Sequence, residues 1–201
     1  MRAATRRELV TGPAGRIECA VDRPASQPGA APRGVALIAH PHPLFGGTLD
    51  NKVVQTLARA FLELGYETWR PNFRGVGATD GVHDEGRGEL EDLLAVLKET
   101  KAEKPVLAGF SFGAALQAQL AQRVTPERLV LIGVGVTRLA TPAVPADTIV
   151  IHGEKDETVP LAAVLEWARP QELPIVLVPG ADHFFHRKLH VLRAIVTSSW
   201  R

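Results

Sequence analysis

One stretch limits the fold more than any other: Lys104-Pro105-Val106-Leu107-Ala108-Gly109-Phe110-Ser111-Phe112-Gly113-Ala114-Ala115-Leu116. Its first part is an apolar run too short for a helix, and it reads as a buried parallel strand. Its last part, continued to Ala121, is rich in helix formers. Between them stands Gly-x-Ser-x-Gly. A strand that turns directly into a helix strains the backbone of the residue at the corner and lifts its side chain above the sheet edge. Gly109 and Gly113 fall where a Cβ would collide with neighbouring backbone. Ser111 is therefore a candidate nucleophile. The N–H of Phe112, at a helix N-terminus where negative charge is favoured, is a candidate oxyanion donor. The competing reading is a glycine-rich turn that packs a helix closely on a strand, and the rest of the chain decides between the two.

That rest alternates. Arg6 to Thr11 and Arg16 to Val21, separated by Gly12-Pro13-Ala14-Gly15, predict an antiparallel hairpin. Strands are expected at Gly34–Ala39, Tyr66–Asn72, Arg128–Val134, Thr148–His152 and Ile175–Val178. Helices are expected at Asn51–Leu64 (capped by Asp50 or Thr48), Glu85–Thr100, Leu161–Ala168 and His186–Trp200. The fold class this implies is α/β: a mostly parallel, doubly wound sheet with an N-terminal antiparallel hairpin and helices on both faces. Ligands in such folds bind beyond the carboxyl ends of the strands.

A nucleophilic serine needs a base, and the base needs an orienting acid. The loop after the last strand, Pro179-Gly180-Ala181-Asp182-His183-Phe184-Phe185, offers His183 as base. Asp182 beside it reads as a turn residue. The loop Gly153-Glu154-Lys155-Asp156-Glu157-Thr158-Val159-Pro160 offers Asp156, deepest in the turn, as the acid, with Glu154 as the alternative and Glu157 as a solvated carboxylate. The loop His40-Pro41-His42-Pro43-Leu44-Phe45-Gly46-Gly47-Thr48 should supply a second oxyanion donor. Its prolines have no N–H to give, which leaves the amides of His42 and Leu44. A rival reading of His40 and His42 is a metal site joined by His183, His186 and His190; it lacks an acidic partner next to the pair and leaves the serine turn unexplained. Phe73-Arg74-Gly75-Val76-Gly77 has no following helix and no phosphate-binding lysine, and it reads as a structural loop with Arg74 held by buried carbonyls or carboxylates.

Composition bounds the rest. The 201 residues fit one domain, 1–201, and 23 Lys and Arg against 22 Asp and Glu leave a net charge of +1. Nothing in that balance calls for nucleic acid or an anionic membrane as partner. No run approaches a membrane span. The basic start leads into no apolar signal region, and Cys19 stands alone, so a reducing cytoplasm is the expected location and a buried thiol the expected state. The Pro/Ala/Gly-rich segment Pro24–Arg33 reads as a surface loop. An exposed edge strand or apolar helix would support a homodimer.

With Ser, Asp and His in that order, each on a loop leaving a separate strand, the chain resembles the α/β-hydrolase superfamily over essentially its whole length. The resemblance implies Ser111 as nucleophile, Asp156 as acid and His183 as base. More narrowly, His-Pro-His-Pro-Leu-Phe-Gly-Gly-Thr, Asp-Asn-Lys-Val-Val and Asn-Phe-Arg-Gly-Val-Gly look like small bacterial serine hydrolases related to dienelactone hydrolases and carboxylesterases. Dienelactone hydrolases proper carry Cys where this chain has Ser111. Many lipases insert a helical lid between the sixth and seventh strands. Here that interval, Thr137–Asp147, is Pro-rich and too short for one. An open, lidless site is expected, with Phe45, Val136, Val159 and Phe184 lining an apolar substrate pocket beside Leu44 and Phe112. The expected activity is a carboxylesterase acting through an acyl-enzyme, with no cofactor. Its rivals are a thioesterase or acyl transferase with the same triad and a non-catalytic ligand-binding protein on the same scaffold.

Overall fold

The computed structural model describes residues 5–25 and 31–200. The segment expected to be a surface loop, 24 to 33, falls partly outside them, as do residues 1–4 of the basic start.

Among the described residues, eight strands form one sheet: β1 (Arg6–Gly12), β2 (Gly15–Asp22), β3 (Val35–Ala39), β4 (Glu67–Pro71), β5 (Val106–Phe110), β6 (Arg128–Ile132), β7 (Ile149–Gly153) and β8 (Ile175–Val178). Their spatial order is β1-β2-β4-β3-β5-β6-β7-β8. β1 pairs antiparallel with β2, and β2 antiparallel with β4. Every pairing from β4 to β8 is parallel. The hairpin thus extends a parallel sheet, as the sequence predicts.

Among the described residues, five helices cover it: α1 (Lys52–Glu63), α2 (Arg87–Thr100), α3 (Phe112–Leu120), α4 (Leu161–Ala168) and α5 (Leu189–Ser198). The continuous apolar runs of the central strands are explained by two cores. Along β5, Val106, Ala108 and Phe110 belong to the core under α1 and α5, while Leu107 belongs to the core under α2, α3 and α4. Successive residues of a strand face opposite ways, so a strand covered on both sides is apolar throughout. Burial of this kind is the main favourable term in folding.

Several element ends differ from expectation for local reasons. Asn51, expected as the first residue of α1, is instead its cap: its Oδ1 accepts from the N–H groups of Val53 (2.9 Å) and Val54 (3.4 Å). Thr48 and Asp50, expected in that role, sit before it, with Thr48 Oγ1 accepting from Asp50 N–H. The last helix begins at Leu189 rather than His186, because Phe185 (φ 55°) and Arg187 (φ 60°) hold left-handed backbone that no helix continues through. β6 stops at Ile132, since Gly133 (φ 49°) turns the chain away. Arg74 is held by a carboxylate: its Nε and Nη2 donate to Asp92 on α2 at 2.7 and 3.0 Å.

Among the described residues no lid interrupts the sheet's carboxyl edge. The chain from 133 to 148 crosses the surface without a helix and is tied down by side chains. Gln119 Nε2 donates to Ala140 O (2.7 Å), Gln122 Nε2 to Ala143 O (2.8 Å) and Trp167 Nε1 to Thr141 O (3.0 Å). No helix among the described residues is long and apolar enough to cross a membrane.

Candidate active site

Ser111 sits at the corner between β5 and α3 with φ 56° and ψ −116°, a conformation an L side chain rarely adopts. The corner is tight enough to require both glycines. A Cβ on Gly109 would come within 2.5 Å of Gly113 O, and one on Gly113 within 2.5 Å of Ala39 O and closer still to His40 O. The strain is locked in by backbone bonds: Ser111 N–H donates to Ile132 O (2.9 Å), and Ser111 O accepts from Gly135 N–H (3.1 Å).

The loops leaving β7 and β8 are stitched together. Glu154 N–H donates to Val178 O (3.1 Å) and Lys155 N–H to Ala181 O (2.8 Å). Glu154, the alternative acid, points its carboxylate to Gly180 N–H (2.7 Å) and so braces the loop that carries His183. Asp182 accepts from His186 N–H (3.0 Å) and contacts His186 Nδ1 (2.6 Å), the turn role expected of it. Glu157 is exposed.

This stitching brings Ser111, His183 and Asp156 into one line. Asp156 is buried, with Oδ1 accepting from Thr158 N–H (2.9 Å) and Val159 N–H (2.8 Å). Its Oδ2 lies 2.6 Å from His183 Nδ1, and His183 Nε2 lies 3.1 Å from Ser111 Oγ. An ionised carboxylate can only accept, so Nδ1 carries the ring proton and Nε2 is left to accept from the serine hydroxyl. His152, fully buried, comes within 3.6 Å of Asp156 Oδ2. Burial pushes its imidazole below the usual range, against the opposing pull of Asp156. Its Nε2 donates to Val159 O (3.0 Å).

The loop after β3 is organised by two histidines. His40 is fully buried; its Nδ1–H donates to Pro41 O (2.6 Å) and its Nε2 accepts from Phe73 N–H (2.9 Å). Burial drives its imidazole down to about 3. With both nitrogens engaged it offers nothing to a metal, and the metal reading of His40 loses its first ligand. His42 accepts from Leu44 N–H at Nδ1 (3.3 Å), and its carbonyl takes the N–H groups of Phe45 (3.1 Å) and Gly47 (3.0 Å). Leu44, one of the two expected donors, therefore has its N–H committed and its side chain in solvent. The N–H of His42 has no acceptor among the described residues. Burial, then the charge of His83, lowers the His42 imidazole.

A cavity of about 310 Å³ opens beside Ser111, lined by His42, Phe45, Asn51, Phe112, Arg138, Val159, His183 and Phe184 among others. Phe45, Val159 and Phe184 are where the sequence expects them. Val136 is not: it packs against the core under α2, α3 and α4, and its neighbours Gly135 and Arg138 reach the cavity in its place. Asn51 and Arg138 at the cavity, and His83 beside it, are not signalled as site residues by the sequence. The His83 ring lies 4.8 Å from that of His42 and 5.6 Å from that of Phe112, with Nδ1 2.9 Å from the buried Glu89 Oε1. Its one signal was position, on a loop leaving a strand's carboxyl end. Cys19 is buried with its thiol pushed up to about 12, which rules it out as a nucleophile.

Comparison with known proteins identifies the fold. A family model described as the alpha/beta hydrolase fold matches residues 42–144. An uncharacterised protein of Rickettsia prowazekii is 32% identical, the match covering 88% of this chain and 81% of that protein. A solved α/β serine hydrolase homologue from Coxiella burnetii is 38% identical, with a TM-score of 0.86 and 98% and 97% of the two chains covered. A solved α/β serine hydrolase without a lid from Xanthomonas campestris is 37% identical, with a TM-score of 0.88 and 99% and 94% covered.

Proposed function

We propose, from the premise that this chain belongs to the α/β serine hydrolase family, that it hydrolyses small carboxylic esters through an acyl-enzyme on Ser111. The observation that carries this reading is the line from Asp156 through His183 to Ser111, ending at the cavity. His183 Nε2 takes the hydroxyl proton as Oγ attacks the ester carbonyl. The N–H groups of Phe112 and His42 receive the negative charge that develops on the carbonyl oxygen. Asp156 holds the ring in the required tautomer and stabilises the imidazolium that forms. His183 returns its proton to the departing alcohol. Water, activated by the same nitrogen, then releases the acid. The cavity, open for want of a lid, favours short acyl chains over interfacial lipid.

Labelling with a fluorophosphonate probe and peptide mapping tests this. The label is expected on Ser111 in the wild type and is expected to be lost in His183→Ala. A folded wild-type protein that takes no label at Ser111 and turns over no oxygen ester sinks the reading. Turnover of thioesters alone would move it to thioesterase.

A further inference from the structure

The cavity beside Ser111 has an uneven wall. Its lining contains one side chain with a fixed charge, Arg138, and no Asp or Glu. The Arg138 guanidinium carbon stands over the Phe45 ring, 5.2 Å from its centre, and the guanidinium N–H groups make no hydrogen bond to any described residue. No described carboxylate forms an ion pair with it, whereas Arg74 and Arg87 are paired with Asp92 and Asp84. Asn51, whose amide oxygen is spent on the α1 cap, also lines the cavity. The remaining contacts are apolar, from Phe45, Phe112, Val159 and Phe184.

The backbone of Arg138 is anchored to that of the nucleophile, while its side chain is exposed. Its N–H donates to Gly135 O (3.0 Å), and Gly135 N–H donates to Ser111 O (3.1 Å). Two residues on, Ala140 O is held by Gln119. The acidic groups nearest this side are turned elsewhere. Glu89 is buried and accepts from the N–H groups of Asp84 and Gly86, and Glu85 lies in solvent beyond His83.

A cation with no partner, held beside an apolar slot and a reacting serine, selects its substrate by charge. Building on the esterase reading, we propose that Arg138 is a specificity-determining residue and that the preferred substrates are esters bearing a carboxylate on their acyl or alcohol part. The carboxylate pairs with the guanidinium, and the short hydrocarbon between it and the ester lies against Phe45 and Phe184.

The test is a ratio of kcat/KM values, which cancels differences in the amount of folded enzyme. For the acyl side, monomethyl glutarate is compared with dimethyl glutarate. For the alcohol side, 3-acetoxybenzoate is compared with 3-acetoxybenzamide. In at least one pair, Arg138→Gln is expected to lower the anionic-to-neutral ratio about tenfold, the scale of one charge-assisted hydrogen bond in a partly open site. Arg138→Lys should keep most of the preference, and Arg138→Glu should lower it further than Arg138→Gln does. Added salt should shrink the wild-type ratio, since the pair is open to solvent. If both ratios are the same in the wild type and Arg138→Gln while the neutral esters are hydrolysed, this proposal falls and the esterase reading stands. If none of the four esters is hydrolysed and Ser111 takes no probe, the esterase reading falls and this proposal falls with it.

Discussion

The floor of the cavity and its mouth are built by different means. At the floor, Ser111, His183 and Asp156 hang on backbone that leaves no alternative: glycines too close to neighbouring carbonyls for a Cβ, loops tied by main-chain bonds, and a carboxylate held by two amides. At the mouth, Phe45 is 70% exposed and Phe184 45% exposed, and neither belongs to a buried core. The floor is held by constraint and the mouth by side chains resting on a surface. Precision is concentrated where atoms react, and the surface that meets substrate is left free to change.

This contrast predicts a steep fall in effect from floor to mouth. Asp156→Asn keeps the shape of the site but turns an amide toward His183 Nδ1. It is expected to lower kcat about 10⁴-fold, measured by steady-state ester hydrolysis with circular dichroism unchanged. Gly113→Ala forces a Cβ against Ala39 O and His40 O. A loss of about 3 kcal/mol or more is expected, read from urea unfolding; a loss below about 1 kcal/mol would show that the corner can relax. His40 gives a pH signature. Its imidazole titrates near 6.5 when unfolded and about 3 when folded. Between these values the unfolded chain binds a proton that the folded chain refuses. Stability therefore rises with pH through that window and levels off above it, by about 1.4 kcal/mol per pH unit for this one group. His42 and His152, both lowered, add in the same direction. His40→Gln should flatten the slope in urea midpoints taken from pH 4 to 7, whatever it does to absolute stability. Smallest of all, Phe45→Ala should leave stability within about 0.5 kcal/mol of wild type, while raising KM more than it lowers kcat. A large loss of stability from Phe45→Ala would erase the distinction between floor and mouth.

The same division separates what could be read from the sequence. Ser111 announces itself because a sharp strand-to-helix turn permits few residue patterns. His183 and Asp156 follow from topology, as each lies just past a strand end. The strand runs are legible because burial on both faces demands unbroken apolar residues. Arg138, Asn51 and His83 leave no such trace. Asn51 is placed by capping α1 and His83 and Arg138 by loops whose path no local pattern encodes, Arg138 within the Pro-rich interval Thr137–Asp147. Val136 shows the same gap from the other side: an apolar residue directly after Gly135 can face either core or cavity, and only the turn at Gly135 decides. The early end of β6 and the late start of α5 trace to left-handed residues, of which Phe185 and Arg187 are not glycine and give no warning.

The left-handed backbone of Ser111 has a consequence beyond chemistry. A side chain at φ 56° and ψ −116° costs on the order of 1–3 kcal/mol, and glycine would be relieved of it. Fold and reaction therefore select in opposite directions at a single codon. Ser111→Gly should melt above the wild type in a thermal scan while hydrolysing nothing. A lineage released from its substrate would gain robustness through the very replacement that ends its activity, and so has a downhill route from enzyme to inert scaffold.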